Sequence, residues 1–251
     1  MSRPRPRPED TGSGAYRMPL DVVVLIPALD EEASLAGVLP AIPNAGPGWR
    51  LRNAVVVDNG SRDRTAEAAR NAGATVVTEP RRGYGAACLA GLAHLRERPP
   101  DVVVFLDADQ SDDPREMPTL LDPIAAGEAD LVIGSRALGE REPGSLTPVQ
   151  AFGNRIAAAL LRLLFGLQAT DLGPFRAIRW PALEALGMRD RDYGWTVEMQ
   201  ARAARAGLHV TEIPVRYRRR LGRSKISGTV RGALGAGWKI LVTIARVRLG
   251  G

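Results

Sequence analysis

Runs of β-branched and aliphatic residues recur through the first half of the chain, each followed by a stretch of helical periodicity. VVVLI (22–26) precedes a helix over Ala33–Leu39, AVVVD (54–58) precedes TAEAARNAG, and TVV (75–77) precedes YGAACLAGLAHLRE. VVVFLD (102–107) and DLVIG (130–134) complete the set. Short, nearly continuous apolar strands joined through helices predict an α/β fold with a mostly parallel sheet flanked by helices, because strands covered on both faces lack alternating polar positions. Several strands run into loops rich in Asp, Gly, Ser and Pro: PALDEE, DNGSRD and DADQSDD. Ligands of open α/β sheets bind at the carboxyl ends of the strands, so the chemistry is expected there.

The second half is less regular. ALGEREPGSLTPVQ (137–150) predicts a long, polar, mobile loop, and Val149, Phe152, Ile156, Leu160 and Leu163 then share one face of a helix. Asp171–Arg176 reads as a turn, Pro181–Leu186 and Val197–Ala206 as helices, and HVTEIPVRY (209–217) alternates like a strand. Val230, Leu234, Trp238, Leu241 and Ala245 fall on one face of a last amphipathic helix, Val230–Arg248. That face either packs on the core or lies in a membrane interface. The chain shows no internal repeat, so the expected organisation is a disordered tail over 1–18, one domain over 19–228 and a basic amphipathic helix over 229–251.

Composition narrows the chemistry. At 251 residues and 45% hydrophobic, the chain can bury one substantial core. A lone Cys88 excludes a disulfide framework or cysteine zinc site and suits a reducing cytoplasm, while only two histidines exclude a histidine-rich metal site. Any metal must be held by oxygen. The net charge of +6 invites a nucleic-acid reading, but ten cations and no acid lie between Pro214 and Gly251, leaving residues 1–213 at −4. A local positive device on an acidic body suits phosphates, on a substrate or a membrane surface, rather than nucleic acid. No segment has the apolar core of a signal peptide. The apolar stretch Ala233–Ala245 contains Lys239 and is shorter than the ~20 residues of a spanning helix. The expected location is cytoplasmic, either free or peripheral at the inner face of the membrane.

The most informative motif is Asp107-Ala108-Asp109, placed directly after VVVFL. Two carboxylates at i and i+2 on a strand end can share one Mg²⁺ or Mn²⁺ that completes its shell with water and diphosphate oxygens. Such a metal neutralises charge developing on a leaving diphosphate; a polar turn capping a strand is the simpler account of the same residues. With PALDEEASL (27–35) and VVVDNGSRDRTAEAA (55–69), the motif resembles the GT-A glycosyltransferases of family 2, particularly the polyprenyl-phosphate hexose synthases. GYGAACLAG (83–91), LVIGSR (131–136), DLGPFRAI (171–178), YGWTVEMQ (193–200) and RRLGRSK (219–225) extend the likeness in order over about residues 20–228.

The resemblance implies a GT-A, Rossmann-like domain that inverts the sugar it transfers. Pro27, Ala28 and Leu29 would line a nucleoside pocket, with Asp30 or Glu31 near the ribose and Asp58 bonded to the base. Asp58 and Ser61 also suit a helix cap, a role Asp63 could share. Arg82 and the Gly83/Gly85 turn would approach the nucleotide, with Asp107, Ala108 and Asp109 at the diphosphate and Asp107 and Asp109 on the metal. Arg136 would face a donor or acceptor phosphate, and Asp171 and the turn from Gly173 to Arg176 the sugar. Glu198, beside Trp195, suits a general base or a sugar ligand, although its i+4 spacing to Arg202 also suits a surface pair. Arg219, Ser224 and Lys225 match the family's basic stretch and would clamp a phosphate. The catalytic set implied is Asp109, Glu198 and Arg136.

Two departures stand out: Gln110 follows DAD directly where DADLQ is common, and Asn59 stands where the family often has a second Asp. The expected partners are a nucleotide-sugar donor, more readily UDP- than GDP- or dTDP-linked, and a phosphate-bearing or hydroxyl acceptor. If the acceptor is a polyprenyl phosphate, no strong base is needed; a small soluble hydroxyl or thiol acceptor is the alternative and would make Glu198 the base. A peripheral membrane contact through the C-terminal helix and a homodimer are compatible with the sequence. A sugar-phosphate nucleotidyltransferase fits less well, because PALDEE stands where that class carries a glycine-rich loop.

Overall fold

The computed structural model describes residues 18–222 and 230–250. β1 (Leu20–Ala28) leads through α1 (Glu32–Val38) and the two-residue β2 (Ala45–Gly46) to β3 (Trp49–Asp58), α2 (Thr65–Asn71), β4 (Thr75–Thr78), α3 (Tyr84–Leu95) and β5 (Val102–Phe105). Then come α4 (Met117–Ala125), β6 (Leu131–Ser135), α5 (Pro148–Phe165), β7 (Arg176–Arg179), α6 (Trp180–Leu186), α7 (Trp195–Arg205), β8 (Val210–Pro214) and α8 (Val230–Arg248). The sheet has eight strands in the order β2-β3-β1-β5-β7-β6-β8, with β4 also on β3. β1 pairs in parallel with β3 and β5, β3 with β4, and β6 with β8.

Burial on both faces follows from the side-chain alternation of a strand. Val22, Val24 and Ile26 pack with α1 and α4, while Val23 and Leu25 pack with Cys88 and Leu92 of α3 and with Met199 of α7. A third core joins Ala157 and Leu161 of α5, Val197 and Ala201 of α7, and Ile244 and Val247 of α8. Helix α3 can lie close to β1 because Gly91 has no side chain; a Cβ there would stand 2.5 Å from Leu25 Cδ1.

Four expectations change. β3 begins at Trp49 rather than Ala54, with its first residues paired to β1 and β2. β7 begins at the last residue of the turn expected over Asp171–Arg176 and inserts antiparallel between β5 and β6. The loop expected to be mobile over 137–150 ends at a capping box, Thr147 with Gln150, and is pinned where Glu142 N donates to Tyr217 O and Tyr217 N donates to Glu140 O. On α5 the apolar face turns outward: Val149, Phe152, Ile156 and Leu163 are exposed, and the helix packs through small Ala157 and Ala158 and through Leu161. The tail expected over 1–18 lies almost wholly outside the described residues.

Candidate active site

The carboxyl ends of β1, β3 and β5 open into a cavity of about 330 Å³. One wall is Pro27, Ala28, Leu29 and Glu31, at and just beyond the end of β1. Asn59 follows β3, and Arg82, Gly83 and Tyr84 form the entry to α3. Arg82 reaches back to donate to Gly60 O at 3.2 Å. The entry turn leaves no room for side chains: a Cβ on Gly83 or Gly85 would collide with the carbonyls of Arg191 or Asp190, and Arg191 O accepts from Ala86 N. Asp107, Ala108 and Asp109 form the floor, with Tyr193 and Arg220 completing the lining.

Electrostatics single out the floor. Burial, reinforced by the charge of Asp109, raises the Asp107 carboxyl to about 7. Tyr84 Oη donates to Asp107 Oδ1 at 3.2 Å, and burial with the Asp107 charge pushes the phenol up, so it stays a donor. Asp112 is 1% exposed, and neither of its carboxylate oxygens finds a hydrogen-bond partner among the described residues. Burial, then Asp107, pushes its pKa well above the carboxylate range. The half-buried Asp107 and the buried Asp109, two residues apart on the cavity floor, fit a divalent cation. No third Asp, Glu, His or Cys joins them as a metal cluster among the described residues, so water and diphosphate oxygens would complete such a shell. Gln110 turns away and donates from Nε2 to Ser34 O at 2.9 Å.

A second cavity of about 210 Å³ lies between α5, α8 and the turn before β7. Arg136 lines it together with Leu146, Val149, Leu172, Pro174 and Ile240, so one cation faces mostly apolar walls. Asp171 grips that guanidinium through two bonds of 2.7 Å and also accepts from Arg136 N. Burial opposes the Arg136 charge, but Asp171 overrides it and holds the pKa above the ordinary value; the guanidinium also stacks 4.9 Å over the Tyr217 ring.

Residues 23–187 match the family model described as glycosyl transferase family 2. The chain belongs to glycosyltransferase family 2. It is 42% identical over 226 residues to an uncharacterized glycosyltransferase of Mycobacterium tuberculosis, covering 88% of this chain and 97% of the relative. It is 33% identical to the undecaprenyl-phosphate mannosyltransferase of Micrococcus luteus, over 84% and 89% of the two chains. Its fold matches glucosyl-3-phosphoglycerate synthase of Mycobacterium tuberculosis, crystallised with Mn²⁺, UDP and glucosyl-3-phosphoglycerate. That match has a TM-score of 0.72 and 24% identity, covering 91% of this chain and 80% of the other.

In this family 2 glycosyltransferase the expected site residues divide. Pro27, Ala28, Leu29, Glu31, Arg82, Gly83, Asp107, Ala108 and Asp109 gather at the larger cavity and Arg136 at the smaller. Asp30 and Asp58 line neither. Asp30 Oδ1 accepts from Arg62 N, Asp58 Oδ1 closes a turn onto Ser61 N, and Asp63 Oδ1 accepts from Thr65 N just ahead of α2. Asp171 and Gly173, expected at the sugar, line neither cavity: the Asp171 carboxylate is held by Arg136, and a Cβ on Gly173 would strike Gly134 O. Trp195 is 1% exposed and packs against Phe105, with ring centroids 6.0 Å apart. Glu198 is buried; it accepts from Arg189 N and Asp190 N and pairs with Arg202 at 2.9 Å, so its carboxylate is occupied away from both cavities.

Arg219 turns to the loop before α5, donating to Pro143 O at 2.6 Å. Ser224 and Lys225 lie outside the described residues. Sequence reasoning missed Tyr84, Tyr193 and Arg220. All three sit inside the quoted motifs GYGAACLAG, YGWTVEMQ and RRLGRSK, one or two residues from positions that were chosen. It also missed the use of Asn59, whose Nδ2 donates to Glu79 O and Arg81 O while Oδ1 accepts from Gly83 N. An aspartate could only accept.

Proposed function

We propose that the chain transfers a hexose, with inversion, from a nucleoside-diphosphate sugar to the phosphate of a polyprenyl phosphate, with UDP the favoured nucleotide. The observation that carries this reading is the second cavity: a single guanidinium, Arg136, at the meeting of apolar walls suits an anionic head on a greasy chain. In the donor cavity the wall after β1 and the Arg82–Tyr84 turn hold the nucleoside, while Asp107 and Asp109 carry Mg²⁺ or Mn²⁺. Bound there, the divalent ion supplies charge neutralisation for the departing diphosphate. Arg220 at the same rim adds a charge-assisted donor for those oxygens. A phosphate acceptor is already anionic, so no side chain needs to take a proton from it, which suits a fold in which Glu198 is occupied by backbone donors.

The surface supports a lipid acceptor. Among the described residues, no helix is long and apolar enough to cross a membrane. Yet α5 and α8 pack side by side and leave Phe152, Leu163, Trp238 and Leu241 exposed, with Arg155, Arg162, Arg246 and Arg248 also exposed around them. On α8 the buried side is Thr243, Ile244 and Val247, so the face bearing Trp238, Leu241 and Ala245 points outward; the side chains of Val230 and Leu234 lie outside the described residues. Such a pair can lie at the cytoplasmic face of an anionic bilayer. The relative that acts on undecaprenyl phosphate fits the same reading.

The test is nucleoside diphosphate release from a panel of UDP-, GDP- and dTDP-hexoses with Mn²⁺, with and without undecaprenyl phosphate. Release that requires the lipid, together with salt-sensitive co-sedimentation on anionic vesicles, supports the proposal. Release driven equally well by phosphoglyceric acid, with no vesicle binding at low salt, makes a small soluble acceptor the answer.

A further inference from the structure

The segment Tyr217–Leu221 runs along Asp109–Asp113 like a short strand: Arg218 N donates to Ser111 O at 2.8 Å, Leu221 N to Asp109 O at 2.9 Å, and Tyr217 bridges Asp112. That pairing delivers Arg220 to the floor of the donor cavity, where its guanidinium pairs with Asp109 Oδ2. The other oxygen of Asp109, Oδ1, accepts from Ser111 N at 2.9 Å. The side chain of Asp109 is 2% exposed and that of Arg220 34%, so the carboxylate is fixed in the floor while the guanidinium has room to move.

We propose that Arg220 and the divalent cation compete for Asp109 Oδ2, and that cation binding transfers the guanidinium to the diphosphate of the donor. This rests on the metal-dependent reading given above. Because Ser111 N already holds Oδ1, a doubly charged ion held by Asp107 and Asp109 would meet Arg220 at Oδ2, where two cations on one carboxylate oxygen would repel in a buried site. A displaced guanidinium at the cavity rim has an obvious partner in the diphosphate oxygens, whose geometry matches its paired donors. Arg220 therefore opposes the metal when the metal arrives alone and reinforces it when the nucleotide is present, making the two ligands cooperative.

The sign of this effect separates it from a merely structural arginine. Calorimetric titration of Mn²⁺ into the full chain without nucleotide should show Arg220→Gln binding the ion about fivefold more tightly than the parent. With Mn²⁺ saturating, the same variant should bind UDP about tenfold more weakly. Arg220→Met provides the same test if the Gln variant does not fold. Mn²⁺ binding that is unchanged or weaker in a folded variant overturns the competition while leaving metal dependence intact. A parent chain that binds no Mn²⁺, with or without UDP, overturns both.

Discussion

The larger cavity is walled by strand ends, the smaller by side chains that hold one another. At the donor end, Pro27, Ala28, Asp107 and Asp109 arrive because β1 and β5 stop where they do. In the second half of the chain, the polar groups that look catalytic in sequence are bonded among themselves: Arg136 to Asp171, Glu198 to Arg202 and the backbone of Arg189 and Asp190, and Arg176 to the carbonyls of Leu172, Gly173 and Thr196. The first region gathers its charges on the lining of one cavity; the second bonds its charges internally and leaves the Asp171-held guanidinium of Arg136 on a cavity wall. A motif at a strand end therefore predicts chemistry better than a carboxylate on a helix, whose partners come from distant parts of the chain.

The sharpest way to break this contrast is to exchange the outcomes. Asp109→Asn should lower nucleoside diphosphate release by about two orders of magnitude or more while the chain stays folded. Full activity in that variant, or in excess EDTA, would remove the metal from the donor region. Glu198→Ala should act on the other side of the divide. Leaving Arg202, the buried N–H of Asp190 and the part-buried N–H of Arg189 without their acceptor should cost about 3 kcal/mol of stability, read by denaturant unfolding. Turnover per folded molecule should change only several-fold; a hundredfold loss at unchanged stability would restore Glu198 as the base.

Two smaller effects sharpen the picture. Asn59→Asp removes two donors to the 79–83 segment and should weaken UDP binding about tenfold in calorimetry. Equal affinity would mean that the turn holds itself. The pH dependence follows from Asp107, whose carboxyl is raised from 3.8 to about 7. In the absence of metal, the folded chain keeps this proton longer than the unfolded one, so the group reduces stability as pH climbs between those values. A cation requires the ionised form. The rise in melting temperature given by Mn²⁺ should therefore grow from pH 5 to 7 and level off above. A shift independent of pH would show that Asp107 is ionised throughout.

Much of the donor half was legible because its signals are local. An unbroken VVVFL run followed by DAD specifies a buried strand and what leaves its end, and the glycines of GYGAA mark a place where a backbone must pass. β7 was not legible, since RAIR is four residues long and bounded by arginines, the first of which is fully buried only because three carbonyls receive its guanidinium. The outward apolar face of α5 was seen as a face but not as a surface, because periodicity reports which residues lie together and not what they lie against. Arg220 was passed over for Arg219 because alternation along a strap decides which of two neighbouring arginines points inward, and that depends on the pairing with Asp109–Asp113.

Asp190 ties α8 to the entry turn of α3. Its carboxylate meets Lys239 at 3.4 Å and Thr243 at 3.2 Å, both on α8, and accepts from Gly194 N; its own carbonyl presses on Gly85 at the nucleotide turn. Helix α8 and the turn at Gly83–Gly85 thus share one short loop as a common wall, and Tyr193 of that loop lines the larger cavity. Thermodynamic reciprocity gives this geometry a consequence: if contact of α8 with a surface shifts this shared loop and so changes donor affinity, a bound donor alters the hold of α8 on that surface by the same factor.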